Sequence, residues 1–257
     1  MLLKNILKNW IKKPFRAIGT DIIRRKNNPE LTLLGLYRRP FSTIIDVGAN
    51  KGQFVQKIFS FFPNADIYCF EPLNEPFIKL TEWANTQRCN IRAFNLAIGD
   101  EDKDVEIYLH KAHTPSSSLL TTTTLNESHF PIIKEQKKIT VQQKTLDHAF
   151  EDENINISDL PRDILIKLDV QGYEEHVIAG GQRVFSQASA CILEINLDAL
   201  YKGQAEFKVI VDMMTNLGYR YAGNLTQHYA EDGHCIFLDA VFLRSDGISK
   251  LDSGKVK

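Results

Sequence analysis

The sequence has few cysteines, no long apolar run and no excess of charge of one sign. Its four cysteines are scattered over 257 residues without a C-x-x-C pair, so we predict neither a zinc site nor a disulfide framework, and we expect a reducing compartment. No stretch approaches the roughly 18 apolar residues that cross a bilayer. The N-terminus also lacks the continuous apolar core of a secretory signal. These absences favour a cytoplasmic protein.

The charge balance argues against a nucleic-acid partner. Lysine and arginine number 31 and aspartate and glutamate 32, so the formal net charge is −1, and the chain has no overall attraction for a phosphate backbone. The exception is residues 1–26, where eight basic residues accompany one acidic residue. With 43% hydrophobic residues, the composition is that of a globular domain.

A basic amphipathic helix is predicted at the N-terminus, within an extension that covers residues 1–40. Apolar residues at positions 2, 3, 6, 7, 10 and 11 form one stripe at the helical period, and Pro14 is expected to stop or kink the helix. Two interpretations of the stripe stay open. Either it docks on the core or on a partner subunit of a homo-oligomer, or residues 1–13 bind peripherally to an anionic membrane at its cytoplasmic face.

From residue 41 the pattern changes to short apolar strands that alternate with amphipathic helices. This rhythm predicts one α/β domain over residues 41–246, with a mostly parallel sheet and helices on both faces, followed by a tail over 247–257. An inserted β-rich segment and an antiparallel C-terminal edge are part of the prediction. The predicted strands are 43–47, 67–70, 91–94, 105–110, 139–146, 164–169, 190–195, 219–222 and 240–244, and the predicted helices are 53–62, 75–86, 173–185 and 204–217.

The first predicted strand runs into a glycine loop, Asp46 to Gly52, ahead of a helix. Glycines four residues apart let the backbone approach a ligand, and the helix N-terminus offers free N–H groups. Glu71 ends the second strand, where a carboxylate can accept both hydroxyls of a ribose. Asn50 and Gln53 stand where a dinucleotide-binding loop needs glycine, and no G-x-x-x-x-G-K-[ST] loop occurs. An acidic loop entry favours a cationic cofactor, S-adenosyl-L-methionine.

These motifs together resemble the FkbM-type S-adenosylmethionine-dependent methyltransferases. The resemblance covers residues 41–245 and rests on the strings Ile45–Gly52, Phe70–Pro72, Lys144–Asp147, Ile166–Glu174 and Gly180–Gly181. It implies a class I methyltransferase (Rossmann-like) fold with a mostly parallel seven-stranded sheet. It also implies O-methylation of a sugar, a glycan chain or another hydroxylated small molecule. Gln171 stands where many members carry Glu, so we assign it no charge-dependent role.

Position in the sheet, together with the resemblance, assigns roles to the cofactor residues. Strand ends of a parallel sheet meet at one edge, so side chains that follow the strands are expected around one ligand. The predicted set is Asp46, Gly48, Asn50 and Gly52 for the methionine part, Glu71 and Pro72 for the ribose, Asn95 and Ala97 for the adenine edge, and Asp169 beside the cofactor.

Asp169, Glu194 and His113 are the predicted catalytic residues. Asp169 ends the fourth parallel strand, where it can orient the acceptor hydroxyl, act as a general base or bind a metal. Glu194 ends the fifth strand, and with Asn196 it offers oxygen ligands for Mg²⁺, a minor alternative that we do not expect. An alcohol needs a base, and histidine suits this task near neutral pH. The sequence does not choose among the candidates His110, His113, His176, His228 and His234.

Two other functions are weighed against methyl transfer to a hydroxyl. A nucleic-acid methyltransferase is disfavoured because no Pro-Pro-Tyr-type tetrapeptide follows the fourth strand, where such enzymes hold a flipped base. The other is a non-catalytic cofactor-binding or scaffold module at a membrane. Asp46, Glu71 and Asp169 argue against it, since such a module has no need of all three. Acceptor contacts are expected from the insertion over residues 110–138 and from a C-terminal loop over residues 223–239.

Overall fold

The computed structural model describes residues 10, 12–20, 22, 28–87 and 90–245. Most of the predicted N-terminal stripe and the tail over 247–257 lie outside the described residues. Residues 12–17 are helical, so Pro14 does not stop the helix. Trp10 is 76% exposed, which means that its ring is not packed against the core of this chain. No helix in the described part of the chain has the length and apolarity that a membrane crossing requires.

From residue 28 onward, the described residues form ten strands and eight α-helices. The strands are β1 (Thr43–Val47), β2 (Asp66–Phe70), β3 (Ile91–Phe94), β4 (Ala97–Gly99), β5 (Lys103–Leu109), β6 (Lys137–Thr145), β7 (Ile164–Leu168), β8 (Ala190–Asn196), β9 (Tyr219–Tyr229) and β10 (Cys235–Arg244). The helices are α1 (Pro29–Thr32), α2 (Gln53–Phe59), α3 (Asn74–Asn85), α4 (Thr124–His129), α5 (Leu146–Asp152), α6 (Glu174–Gly180), α7 (Gln182–Gln187) and α8 (Phe207–Asn216). Short 3₁₀ turns cover Leu33–Arg38, Thr114–Ser116, Pro131–Ile133 and Ile157–Asp159.

The main sheet has seven strands in the order β3-β2-β1-β7-β8-β10-β9. Neighbouring strands from β3 to β8 pair in parallel, whereas β10 pairs antiparallel with both β8 and β9. This confirms the predicted class I methyltransferase fold with an antiparallel C-terminal edge. The strand order reverses between β1 and β7, so a crevice opens beyond the C-terminal ends of these two strands.

The parallel strands are buried on both faces because their side chains alternate between two apolar clusters. In β1, Ile45 and Val47 pack with α6, α7 and α8 on one face, and Ile44 packs with α2 and α3 on the other. Helices therefore cover the sheet on both sides, as the continuous apolar strands predict. The packing fixes the positions of the strand ends that form the site.

The insertion is a second, smaller sheet with the order β4-β6-β5. Strands β5 and β6 were predicted, and they pair antiparallel. The third strand, β4, pairs in parallel with β6 and is absent from the predicted strands. It has only three residues, too few to show a periodic pattern.

Two predicted segments differ most from the structure. The helix predicted over 173–185 is two helices, because the consecutive glycines Gly180 and Gly181 have low helix propensity and end α6. The loop predicted over 223–239 is mostly strand, since β9 continues to Tyr229 and β10 begins at Cys235. The two strands pair with three register shifts, and such bulges interrupt the alternation by which a strand is recognised.

Candidate active site

The crevice beyond β1, β2 and β7 contains a cavity of about 260 Å³. One side of the cavity is formed by the glycine loop, the residues after β2 and the start of β4. Another side is formed by the 3₁₀ turn Thr114–Ser116 and the residues that follow this turn. Of the predicted residues, the cavity is lined by Asp46, Gly48, Asn50, Glu71, Pro72, Ala97 and Asp169. The strand ends therefore gather most of the predicted cofactor set around one space.

The glycine loop is shaped by a close crossing of two chain segments. Gly48 has φ +82°, and a Cβ at this position would lie 1.9 Å from the main-chain oxygen of Asp169. The Gly48 N–H donates to Phe70 O at 3.0 Å, and Asp169 N–H donates to Val47 O at 3.0 Å. Only glycine fits this crossing, which brings the ends of β1, β2 and β7 together.

Asp46 is a buried carboxyl beside the cavity. It is 1% exposed, and its Oδ2 has no hydrogen-bond partner within the described chain. Burial raises the pKa of Asp46 to about 7, while Lys167 lowers this pKa and Asp169 raises it. A buried oxygen without a partner is costly, so Asp46 fits a site that a cationic ligand group completes.

The pKa of Asp46 predicts a pH dependence of cofactor binding. The ionised carboxylate attracts a cation, so the affinity for S-adenosylhomocysteine should fall by about tenfold from pH 8 to pH 6, as one group of pKa near 7 takes up its proton. Burial also raises the pKa of Glu71 to about 7, which acts in the same direction. Calorimetric titrations at both pH values measure the change. Asp46→Asn should bind more weakly and show a flatter dependence, whereas a wild-type affinity that rises toward pH 6 would contradict this assignment.

Glu71 is held in place by the two segments that flank it. Its Oε2 accepts a hydrogen bond from Asn50 N–H at 2.8 Å and its Oε1 accepts one from Leu73 N–H at 2.8 Å. Each carboxylate oxygen keeps a further lone pair, and the residue lines the cavity. Glu71 is therefore oriented to accept two hydroxyls, as the ribose assignment requires.

Glu71→Ala should weaken S-adenosylhomocysteine binding by about 1.5–3 kcal/mol, the cost of losing hydrogen bonds to a charged acceptor. The unliganded protein should also lose thermal stability, because the N–H groups of Asn50 and Leu73 lose their partner. Glu75→Ala is the matched control, since Glu75 is exposed on α3 and pairs with Lys79. Its affinity should stay at the wild-type value. Equal affinities of the two variants in calorimetry would remove Glu71 from the ribose site.

Asn95 lies near the cavity without lining it. Its side-chain Nδ2 donates to the carbonyl oxygens of Glu71 and Pro72, each at 3.0 Å. The side chain is thus occupied in tying β3 to the segment after β2. Ala97 does line the cavity, with its neighbours Leu96 and Ile98. We therefore propose this apolar run, and not the Asn95 amide, as the contact for the adenine edge.

Lys167 is the most unexpected member of the site. Its ammonium is buried and lies 3.0 Å from Asp169 Oδ2. Burial alone lowers the pKa of a lysine, but the carboxyl groups of Asp169, Asp239, Asp46 and Glu194 outweigh it and raise the pKa of Lys167. The site therefore contains a permanent cation among its acids.

Gln171 joins the two acids that were predicted to be catalytic. Its Nε2 donates to Asp169 Oδ1 at 2.8 Å and to Glu194 Oε1 at 2.5 Å, and Tyr201 OH donates to its Oε1 at 2.6 Å. The opposite amide orientation would place an oxygen between two carboxyl groups. The neutral amide of Gln171 thus bridges Asp169 and Glu194, whereas a glutamate at this position would place a third carboxyl group beside them.

Glu194 does not line the cavity, and a hydrogen bond from Gln171 joins it to the site. Burial raises the pKa of Glu194 well above its usual range, and Asp169 adds to this. Both effects favour the protonated carboxyl, which cannot take up a further proton. The geometry fits Glu194 as a group that positions Gln171 and Asp169.

The residues predicted as Mg²⁺ ligands do not fit that ion. Asp169 and Glu194 share the amide nitrogen of Gln171 as a donor, and the Lys167 ammonium supplies the positive charge beside Asp169. Asn196 is directed to Gln204 Oε1 through its Nδ2, at 3.4 Å. Mg²⁺ needs six oxygen ligands in octahedral geometry, whereas donors of hydrogen bonds already surround these acids.

The five candidate histidines lie away from the cavity lining. His113 is exposed, and its Nδ1 lies 2.8 Å from Ser116 Oγ, although the adjacent Thr114 and Pro115 do line the cavity. Three of the other four contact a partner side chain, and His110 is enclosed in the protein. His110 is fully buried with its pKa lowered by burial, His176 pairs with Asp100, His228 stacks on Phe237, and His234 bonds to Asp198 and Asp232.

Comparison with known proteins agrees with this geometry. Residues 46–221 match the family model described as the methyltransferase FkbM domain. NoeI of Sinorhizobium fredii (strain NBRC 101917 / NGR234), a 2-O-methyltransferase by name, is 24% identical over 187 residues, which is 71% of this chain and 74% of that protein.

Solved structures of methyltransferases are similar at low sequence identity. Precorrin-6y C5,15-methyltransferase from Geobacter metallireducens GS-15 is 12% identical with a TM-score of 0.43, over 84% of this chain and 87% of that one. Magnesium protoporphyrin IX methyltransferase from Synechocystis PCC 6803 is 11% identical with a TM-score of 0.43, over 94% and 97%. The fold is assigned from the strand order of the main sheet.

Proposed function

The chain belongs to the FkbM methyltransferase family, and on that premise we propose that it transfers the methyl group of S-adenosylmethionine to a hydroxyl oxygen of a sugar, glycan or related small molecule. Methyl transfer and its cofactor follow from the family and the fold. The oxygen acceptor and its carbohydrate class are the proposal. The observation that carries it is Asp169, a carboxyl at the cavity wall held between Lys167 and Gln171.

The cavity has the groups that a cationic nucleoside cofactor needs. When bound, S-adenosylmethionine supplies a methyl group on a positively charged sulfur, and the acceptor oxygen takes it as a C–O bond forms and the S–C bond breaks. Asp46 offers a buried oxygen for the positive charge, Glu71 offers acceptors for the ribose, and Gly48 leaves room for the loop. Leu96 and Ile98 add an apolar wall for the base.

Asp169 is the group best placed to orient an acceptor hydroxyl. Its Oδ2 accepts a hydrogen bond from Lys167 and its Oδ1 accepts one from Gln171, which fixes the plane of the carboxylate and leaves a lone pair on each oxygen. A hydroxyl can donate to such an oxygen and pass its proton there as the C–O bond forms. The exposed position of His113 supports Asp169 over that histidine as the base.

Residues of the insertion form part of the cavity wall, which supports an acceptor site between the insertion and Asp169. The hydroxyl of Ser118 donates to Gln171 O at 2.7 Å, and Thr114 and Leu119 line the cavity. The insertion therefore contacts both the cofactor side and the Asp169 side. The similarity to NoeI, a 2-O-methyltransferase by name, supports a hydroxyl as the acceptor.

Methyl transfer from labelled S-adenosylmethionine to a panel of acceptors tests the proposal. The panel contains neutral sugars, short glycans, amino sugars and an RNA transcript. We expect label in an O-methyl ether of a glycan or sugar, as located by mass spectrometry of the product. Label on nitrogen or on RNA would contradict the proposal, and binding of S-adenosylhomocysteine without turnover on any hydroxylated acceptor would favour the non-catalytic module.

A further inference from the structure

Three side chains of types that can bind metal ions lie close together outside the cofactor cavity, each from a different segment. His129 is the last residue of α4, Asp198 follows β8, and His234 lies in the turn between β9 and β10. The Nε2 atoms of His129 and His234 lie 3.2 Å and 3.0 Å from the same oxygen, Asp198 Oδ2. One ligand atom from each of the three lies within 4.8 Å of the others. We propose that His129, Asp198 and His234 form a zinc-binding site that goes beyond the methyltransferase function.

The spacing of these atoms suits a tetrahedral ion. With ligand distances of about 2.0–2.1 Å, the edges of a zinc tetrahedron are about 3.3 Å long. The two observed nitrogen-to-oxygen distances, 3.2 Å and 3.0 Å, are close to that edge. Two imidazoles and one carboxylate leave the fourth position open for water or another ligand.

The surroundings hold the ligands in orientations that metal binding needs. The Asp232 carboxylate lies 2.5 Å from Nδ1 of His234, so it can accept a hydrogen bond from Nδ1–H and leave Nε2 as the metal-binding atom. Such carboxylate–histidine pairs are the usual support of zinc ligands. The insertion is also anchored here, since Thr123 Oγ1 donates to Ala199 O at 2.7 Å and Thr123 N–H donates to Leu200 O at 2.9 Å.

At this location, the ion would hold together the two segments that are expected to contact the acceptor. Residues 110–138 and the β9–β10 hairpin are the two segments expected to contact the acceptor, and His129 and His234 come from one each. The aromatic rings of Phe130, His228 and Phe237 pack beside them, with centroids 4.8–6.5 Å apart. A zinc ion would join the insertion to the hairpin through Asp198, close to where the last parallel strand ends.

The same atoms could instead form a salt bridge with a protonated histidine. Hydrogen bonds that a protonated His234 donates to Asp198 and Asp232 raise its pKa, so a charged imidazole between two carboxylates is the alternative. It requires a proton on Nε2, whereas zinc requires that atom to be free. The two interpretations therefore differ in whether the wild-type protein binds the metal at neutral pH.

Metal titration of the tag-free full-length protein distinguishes them. Co²⁺ gives visible absorption bands when four-coordinate, and Zn²⁺ displaces it, so both ions are titrated at neutral pH. We expect one ion per chain, a higher melting temperature with Zn²⁺, and affinity reduced by about 100-fold or more in His129→Gln and in His234→Gln. The matched control is His148→Gln, because His148 is also an exposed histidine paired with an aspartate, Asp102, and it should bind Zn²⁺ as the wild type does.

Retained binding of S-adenosylhomocysteine shows that each variant is folded. Nitrogen chemical shifts of the wild-type histidines provide a second measurement that needs no variant, and we expect two Nε2 atoms to shift on addition of Zn²⁺. The proposal would be overturned by the absence of saturable Zn²⁺ binding at neutral pH, or by an unchanged affinity in both histidine variants.

Discussion

Replacement of Asp169 by asparagine should lower turnover by about 100-fold or more, the scale of a lost general base. An amide cannot take the proton of the acceptor hydroxyl. It also leaves the buried Lys167 ammonium without the carboxylate 3.0 Å away, so the melting temperature should fall. The affinity for S-adenosylhomocysteine should change by less than about threefold, because the loss concerns the reaction and not the bound cofactor. Steady-state kinetics and calorimetry on the same preparation separate the two effects.

The matched control for this substitution is Asp212→Asn. Asp212 also pairs with a lysine, Lys208, but the pair is exposed on α8, and such pairs contribute little to stability. Turnover and melting temperature should both stay at wild-type values. Wild-type turnover in Asp169→Asn would instead mean that Asp169 only shapes the turn after β7.

Gly48→Ala should be one of the most damaging small substitutions among the described residues. The added Cβ would lie 1.9 Å from the main-chain oxygen of Asp169, so the glycine loop and the end of β7 cannot both keep their positions. We expect a loss of about 4 kcal/mol or more in the free energy of unfolding, in the range reserved for severe steric defects. Affinity for S-adenosylhomocysteine should fall by at least about 100-fold, which corresponds to roughly 2.7 kcal/mol.

Gly203→Ala separates the steric clash from backbone strain. Gly203 has φ +83°, almost the same as Gly48, and nothing lies within 4 Å of an added Cβ. It should cost only the left-handed strain of about 1–2 kcal/mol and leave cofactor binding unchanged. Chemical denaturation and calorimetry on both variants make the comparison. Similar losses in the two would contradict the close crossing of β1 and β7.

The sheet could be predicted from the sequence because its strands are short, continuous apolar runs. The strand Thr43–Val47 and the strand Ile164–Leu168 are buried at every position, which is the pattern of a parallel strand covered on both faces. The β9–β10 hairpin was predicted too short, because its bulges break the alternation. The strand Ala97–Gly99 depends on pairing with β6, a partner distant in the chain that local pattern cannot reveal.

The cofactor side of the site was predictable for the same reason. Asp46 lies near the end of a recognisable strand, and Glu71 and Asp169 each follow one, so the topology of a parallel sheet brings them to one edge. Lys167 was missed because a lysine inside a strand is normally exposed. Only its position two residues before Asp169, on the same face of β7, could have indicated a buried ion pair.

The remaining residues of the site depend on distant segments. Gln171 was recognised only as a departure from the family pattern, and its bridge between Asp169 and Glu194 needs the ends of β7 and β8 side by side. Tyr201 reaches it from the loop after β8. The prediction of no zinc site rested on the cysteines alone, and spacing could not indicate the proposed ligands His129 and His234, which are 105 residues apart in the chain.

A crystal structure with S-adenosylhomocysteine tests the central claim, that the cavity beyond β1, β2 and β7 is the cofactor site of a methyltransferase. We expect the ribose hydroxyls within hydrogen-bond distance of Glu71, the charged end of the methionine part beside Asp46, and the sulfur facing the Asp169 side. S-adenosylhomocysteine bound elsewhere on the molecule, or bound in the cavity with its ribose away from Glu71, would contradict it.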